Sequence, residues 1–189
     1  MKIFFKILKI ILISIFSLLL LLVAFIYFFV NNENLDYNTK NQTVTHSVIK
    51  DKMKGKHFVL FVLSTGCPGV NSEIAHIKSD IEMCKRNNID YSVIFDELHK
   101  NSMDREIDNF IENKDFNESF YLIDPKQYKE NIKVLGSKRR LKDFLSNLIT
   151  DIDTIPLGYP QYFYFDNGNF KGYTFYNLEE GLKNYFDLD

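Results

Sequence analysis

Downstream of residue 56, short apolar runs alternate with segments whose apolar residues recur at helical spacing. The run His57–Leu63 is almost unbroken, which is typical of a strand covered on both faces of a sheet. A second apolar run at residues 89–95 predicts another strand. Between the two runs, an apolar stripe predicts an amphipathic helix over residues 71–86. The stripe consists of Ile74, Ile77, Ile81 and Cys84.

The rest of the chain continues this alternation and closes with a hairpin. Two further apolar stripes predict helices, and residues 119–123 predict a third strand between them. Asn167-Gly168 is a strong hairpin signal between strands at residues 161–165 and 170–175, and a closing helix is predicted over residues 178–186. The stripes are formed by Met103, Ile107, Phe110 and Ile111, and by Leu141, Phe144, Leu145 and Leu148. This order predicts an α/β fold whose mixed sheet is flanked by helices.

The N-terminal segment has a different pattern. The 21 residues from Ile10 to Val30 contain no charge, and as a helix they would be about 31 Å long, enough to cross a bilayer core. A cleaved signal peptide would have a shorter apolar core and a small-x-small cleavage site, whereas this run ends in Phe28, Phe29 and Val30. The sequence therefore predicts one uncleaved transmembrane helix that holds the protein in a membrane.

The flanks of this segment predict its orientation. Lys2, Lys6 and Lys9 precede it, whereas residues 31–49 contain Lys40 as their single basic residue. The positive-inside tendency then places residues 1–9 in the cytoplasm and the C-terminal domain outside it, in the periplasm or at the cell surface of a bacterium, or in a lumen of a eukaryotic cell. Residues 31–55 are predicted to be a tether with a short ordered piece near its end, and residues 56–189 to be the folded domain.

Charge and composition exclude several classes of function. The first 30 residues contain three lysines and no acidic residue, so the remaining 159 have 20 basic and 25 acidic residues. A domain with that balance has no basic surface for nucleic acid. The four histidines are scattered without ligand spacing around either cysteine, so no metal site is predicted. No glycine-rich phosphate loop is present, and no cofactor is predicted.

The two cysteines differ in their predicted surroundings. Cys67 stands at the start of a predicted helix, and Pro68 fits the first helical turn. Unpaired backbone N–H groups at a helix start stabilise a thiolate, which makes Cys67 a candidate nucleophile. Cys84 lies 17 residues further along the same helix, about 25 Å away, so it cannot pair with Cys67. Its place on the apolar stripe predicts a core residue.

Three features together resemble the thioredoxin-like fold: a buried strand running into Cys67-Pro68, the Tyr159-Pro160 step before a strand, and the terminal hairpin plus helix. The resemblance covers residues 56–189. The long separation of Cys67 and Pro160 looks like that of membrane-tethered extracytoplasmic thioredoxin-like proteins of bacteria, which have an inserted strand and helix. The resemblance implies that Pro160 is cis, and that Pro68, Tyr159 and Pro160 line a substrate groove beside Cys67.

The chain departs from this family's Cys-x-x-Cys pattern, because Val70 replaces the second cysteine, and Gly66 replaces the tryptophan often found before the first. The predicted function is therefore thiol-disulfide exchange through mixed disulfides on a single cysteine, with a protein client or a low-molecular-weight thiol. A non-catalytic binding module in the cell envelope is the alternative. A peroxiredoxin-like peroxidase is a third, since Ser64 occupies the threonine position of that family, but Leu60 replaces its proline and Arg139-Arg140 are predicted to be solvated.

Overall fold

The computed structural model describes residues 2–31, 41–96, 103–128 and 139–188. The chain divides into two compact units, the first containing the N-terminal helix and the second containing the sheet. The N-terminal helix α1, Lys2–Asn31, is 30 residues long. The predicted helical conformation of residues 10–30 is thus confirmed. Within the described part of the chain, however, no helix is both long and apolar enough to cross a membrane. The membrane span stays a prediction that the structure does not support.

The second unit is built on one six-stranded mixed sheet. Its strand order is β1-β4-β3-β2-β5-β6, and the strands are β1 Thr43–Val44, β2 His57–Leu63, β3 Asp90–Phe95, β4 Phe120–Ile123, β5 Gln161–Asp166 and β6 Asn169–Thr174. Strands β1 to β4 pair in parallel, whereas β5 is antiparallel to both β2 and β6. The predicted mixed sheet is confirmed, with its first four strands parallel and its last two antiparallel.

Helices cover both faces of this sheet. They are α2 His46–Met53, α3 Pro68–Ser72, α4 Ile74–Arg86, α5 Met103–Lys114, α6 Arg139–Ser146 and α7 Leu178–Phe186, with a 3-10 turn at Ile152–Thr154. Apolar residues of α4, α5 and α7 form a first core cluster on one face. Those of α2 and α6 form a second cluster on the other face.

Strand β2 lies at the centre of the sheet and contributes to both clusters. Val59, Phe61 and Leu63 point into the first cluster, and their neighbours in sequence point into the second. From Phe58 to the end of the strand every residue is buried. An unbroken apolar run is therefore required here, and the rigid strand fixes the position of the turn that follows it.

The sheet begins earlier than the sequence pattern indicated. Thr43–Val44, within the predicted tether, pairs in parallel with β4, and α2 follows it. Ile49 and Met53 of α2 are fully buried in the second cluster. A two-residue strand is too short to show a period of its own, and only its partner β4, about 80 residues away, defines it.

Two local predictions were wrong. The helix expected over residues 71–86 is interrupted at Glu73, which ends α3 and begins α4. Arg140, expected on a solvated helix face, is only 3% exposed. It lies four residues before Phe144 on α6, and this spacing places both residues on the face that packs against the sheet.

Candidate functional site

Cys67 lies in the turn between β2 and α3, at the N-cap position of the helix. Its N–H donates to the Ser64 carbonyl oxygen at 3.1 Å, and its own carbonyl accepts from the Asn71 N–H at 3.1 Å. Pro68 is the first helical residue, as predicted. The helix that starts here has only five residues, however, so the dipole of a long helix does not act on the thiol.

Asn71 holds the turn closed through its side chain. Its Nδ2 donates to the Thr65 carbonyl oxygen at 2.8 Å and to that of Cys67 at 3.2 Å. On the other side, the Lys114 ammonium of α5 donates to the Asn71 carbonyl oxygen at 3.3 Å. Neither residue was recognised from the sequence, because a side chain that bonds to its own turn has no pattern of its own.

The Tyr159-Pro160 step lies directly beside Cys67. The peptide bond between Tyr159 and Pro160 is cis, in agreement with the implied geometry. The Cys67 thiol, which is half-buried, donates to the Tyr159 carbonyl oxygen at 3.4 Å. Residues 92 positions apart are thus in contact. Of the two prolines predicted to line the groove, Pro68 is exposed and Pro160 is buried.

Tyr176, which no sequence pattern indicated, also bonds to this carbonyl group. The Tyr176 hydroxyl donates to the Tyr159 carbonyl oxygen at 3.2 Å. Burial, reinforced by the nearby Cys67 and Glu73, raises the pKa of Tyr176, so the hydroxyl stays protonated and remains a donor. Tyr176 lies two residues after the end of β6, and nothing in its local pattern indicates a contact with a turn more than 100 residues earlier.

The Tyr159 side chain is fixed from the opposite direction by Asp96. The Tyr159 hydroxyl donates to Asp96 Oδ2 at 2.5 Å, and the Asp96 N–H donates to the Leu63 carbonyl oxygen at 2.9 Å. Asp96 is 1% exposed and directly follows β3. The sequence did contain a signal for it, since the carboxyl ends of adjacent parallel strands meet at one edge of a sheet, where sites commonly form.

The position of the missing second cysteine is apolar and closed. Val70 is fully buried and packs in the first core cluster. Cys84 is also fully buried there, as predicted, and both cysteines are free. Burial, with a contribution from Asp80, raises the pKa of Cys84 to about 12. Cys84 is therefore a protonated core residue, and Cys67 is the accessible thiol.

A polar network connects Tyr176 to the core through the exposed His76 and the buried Asp80. His76 Nε2 lies 2.8 Å from the Tyr176 carbonyl oxygen and 3.6 Å from Asp80 Oδ2. Asp80 is 2% exposed and accepts a hydrogen bond from the Tyr162 hydroxyl at 2.9 Å. Burial raises the pKa of Asp80, while the Tyr162 hydrogen bond and the charge of His76 act in the opposite direction. Among the described residues, no group of three or more potential ligands could hold a metal ion.

The mixed sheet, the helices on both of its faces and the cis-proline beside Cys67 form a thioredoxin-like fold. A thioredoxin-family thiol:disulfide interchange protein from Chlorobium tepidum TLS is similar, with 17% identity over 66% of this chain and 72% of that one and a TM-score of 0.45. The thioredoxin domain of a thiol-disulfide oxidoreductase from Bacteroides vulgatus has 14% identity over 70% of this chain and 81% of that one, with a TM-score of 0.47. StoA from Bacillus subtilis has 12% identity over 65% of this chain and 75% of that one, with a TM-score of 0.40. No protein-family model and no curated protein sequence matches the chain.

Proposed function

We propose that this protein exchanges thiols and disulfides through Cys67 alone. The observation that supports this most directly is the contact between the Cys67 thiol and the Tyr159 carbonyl oxygen, beside the cis-peptide bond. The contact holds a half-buried thiol in the turn that follows β2, next to the cis Tyr159-Pro160 step. Cys84 cannot take this role, because it is enclosed in the core with a raised pKa.

The proposed reaction begins when the Cys67 thiolate attacks a substrate disulfide. A bond forms between Cys67 Sγ and one substrate sulfur, the substrate disulfide bond breaks, and the other sulfur leaves as a thiolate. Because Val70 offers no second thiol, the mixed disulfide persists until an external thiolate attacks it. The attacking thiol takes over the bound sulfur, and Cys67 leaves as the thiolate.

The residues around Cys67 have defined supporting roles in this proposal. The protonated thiol donates to the Tyr159 carbonyl oxygen, and this bond is lost when the thiol ionises. The Tyr176 hydroxyl continues to donate to the same oxygen, so the Tyr159 carbonyl keeps one hydrogen bond while the Cys67 sulfur reacts with the substrate. The hydrogen bond to Asp96 holds the Tyr159 ring in place during this change.

The test compares two serine variants of the full chain. Wild type and Cys84→Ser are expected to react with a chromogenic aromatic disulfide and to form disulfide-linked adducts on non-reducing gels. Cys67→Ser is expected to do neither under native conditions. Retention of both signals by Cys67→Ser would disprove the proposal.

A non-catalytic binding module is the second candidate, and the burial of Val70 favours it. A closed apolar residue at the second cysteine position is consistent with a fold kept as a scaffold, in which Tyr159 and Pro160 contact a peptide or an envelope partner. Under this alternative, Cys67→Ser retains partner capture in pull-downs done under reducing conditions. Loss of the protein's cellular function in Cys67→Ser, with partner capture unchanged, would exclude it.

A peroxidase is the weakest candidate. Ser64 is buried just after β2, but Arg140 belongs to α6, which packs on the sheet face opposite to the cluster that contains Val70. Consumption of hydrogen peroxide by wild type but not by Cys67→Ser would support the peroxidase function.

We further propose that α1 anchors the protein in a membrane, with residues 1–9 in the cytoplasm and the thioredoxin-like domain outside. The uncharged run from Ile10 to Val30 and the lysines before it support this orientation. Alkaline extraction of membranes tests the anchor, and protease added to intact cells tests the orientation. Leu20→Arg should release more protein than the conservative control Lys9→Arg, because a charge at mid-span costs about 2.5–3.5 kcal/mol.

A further inference from the structure

The surface around Cys67 is closed on the Tyr159 side. In the proposed groove, an extended polypeptide would use the Tyr159 carbonyl oxygen as a backbone acceptor. That oxygen already accepts from the Cys67 thiol and from the Tyr176 hydroxyl. Tyr176 also lies against Gly69, so its ring covers the first turn of α3. A polypeptide client must displace this tyrosine before it can pair with the backbone beside the thiol.

The same turn also borders an open part of the surface. A cavity of about 240 Å³ lies between the turn and α5, and its polar lining includes Thr65, Asn71, Glu106 and Lys114. Gly66 also lines it, and a β-carbon built on this glycine would meet no atom within 4 Å. Gly66 directly precedes Cys67, so the cavity borders the chain at the residue before the cysteine.

The size and chemistry of the cavity define a class of ligand. Its volume lies below the range of about 300–1,000 Å³ that is usual for drug-sized molecules, so it suits a small one. Glu106 offers a carboxylate to a ligand ammonium, and Lys114 offers an ammonium to a ligand carboxylate. Asn109 and Asn113 add amide groups that donate and accept hydrogen bonds. Glu106 and Lys114 are two helical turns apart, about 12 Å along α5, which matches opposite charges at separate ends of a short peptide-like molecule.

We propose that this cavity binds the polar body of a low-molecular-weight, peptide-like thiol or its disulfide, which has a free ammonium group and a free carboxylate. The inference rests on the proposed thiol chemistry of Cys67 and names its substrate class. In the step concerned, the Cys67 thiolate attacks a symmetrical small disulfide, one sulfur becomes bonded to Sγ and the other leaves as the free thiolate. The thiolate of a protein client then attacks the small-molecule sulfur of the mixed disulfide, so that the small thiol becomes bonded to the client and Cys67 leaves as the thiolate.

The experiment compares two disulfides on the full chain. Glutathione disulfide is the charged peptide-like probe, and bis(2-hydroxyethyl) disulfide is the neutral one. The rate of mixed-disulfide formation on Cys67 is measured by mass spectrometry for each probe, and the readout is the ratio of the charged-probe rate to the neutral-probe rate. Three variants alter the cavity: Gly66→Trp fills its opening, while Glu106→Gln and Lys114→Gln each remove one charge. Glu112→Gln, an exposed position on the same helix outside the cavity lining, is the matched control.

The expected ratio favours glutathione disulfide in wild type and in Glu112→Gln. It falls about threefold in each charge variant, the size of one partly exposed ion pair, and further in Gly66→Trp. Glu106→Gln is the more direct charge variant, because Lys114 also contacts the Asn71 carbonyl oxygen. An unchanged ratio in all three cavity variants, with Cys67 still reactive, overturns the inference and leaves the proposed function intact. Failure of Cys67 to react with either disulfide overturns both.

Discussion

The hydroxyl of Tyr176 lies where a β-carbon on residue 69 would stand. A Cβ built on Gly69 would approach this oxygen to less than 3.0 Å, a separation that real β-carbons essentially never show. The next nearest atoms, the Tyr176 Cζ and the Tyr159 carbonyl oxygen, would both be 3.4 Å away. A β-carbon at position 69 would therefore have to displace the end of the Tyr176 side chain, and the first turn of α3 is fitted to a residue that follows β6.

This relationship predicts a rescue. Gly69→Ala should destabilise the protein by about 1–3 kcal/mol through overpacking against Tyr176. The double variant Gly69→Ala/Tyr176→Phe should recover most of that loss, because removing the hydroxyl leaves only contacts of ordinary length. Urea unfolding of the four proteins in mild detergent measures the coupling. Additive effects of the two substitutions would show that Tyr176 does not rest on Gly69.

A second prediction restores the missing thiol. Positions 67 and 70 are three residues apart at the start of a helix, the spacing at which side chains lie on one face. Val70→Cys should therefore form an intramolecular disulfide with Cys67 and shorten the lifetime of mixed disulfides on Cys67, since an internal thiolate can now release them. Mass spectrometry after a pulse of small disulfide measures this lifetime. Val70→Ala, which also leaves space in the core but adds no thiol, should not shorten it.

Thiol alkylation should separate the two cysteines. Burial raises the pKa of Cys84 to about 12, so at pH 8 only about one molecule in ten thousand has the thiolate form. Iodoacetamide should thus modify Cys67 in the native protein and Cys84 only after denaturant is added. Peptide mapping locates the label. Native labelling of Cys84 at a rate comparable to that of Cys67 would contradict the buried position of α4.

The buried carboxyl of Asp80 predicts how stability depends on pH. Its pKa is raised in the folded protein, chiefly by burial, above a usual value near 3.8. Between these two values the folded state binds more protons than the unfolded state, so this group makes stability fall as pH rises, and its full cost is present above the raised pKa. Asp80→Asn should flatten this part of the profile. Urea midpoints from about pH 4 to pH 7 measure it, and an identical slope in both proteins would refute the assignment.

Gly181 allows packing and helix propensity to be weighed against each other. Alanine is favoured over glycine inside a helix by about 1 kcal/mol, which would make Gly181→Ala stabilising. A β-carbon there would overlap the ring and hydroxyl of Tyr164, whose side chain is fully buried and hydrogen-bonded to Thr174 Oγ1. Overpacking of about 1–3 kcal/mol should outweigh the propensity gain. Thermal unfolding should show a lower midpoint for Gly181→Ala and no clear change for Gly66→Ala, which meets open space.

Much of the fold follows from local pattern. The bounds of β2 and α7 agree with their predictions, because an unbroken apolar run and a capped amphipathic segment each define an element without help from the rest of the chain. The Asn-Gly turn defined the β5-β6 hairpin for the same reason. The strand at Thr43–Val44 and the break at Glu73 were not predicted, since each depends on neighbours distant in sequence or on the closure of one turn.

For the candidate site, the sequence by itself determined which residues have the required chemistry: Cys67 after a buried strand, Pro68 at the first helical position, and Pro160 before β5. Only the tertiary structure decided what surrounds the sulfur. Tyr176 and Asp96 reach Tyr159 from segments far apart in the chain, and the cavity lies between the Cys67 turn and α5. The physical reason is that local periodicity records which face of an element is buried, whereas hydrogen bonds between distant side chains depend on how whole elements pack.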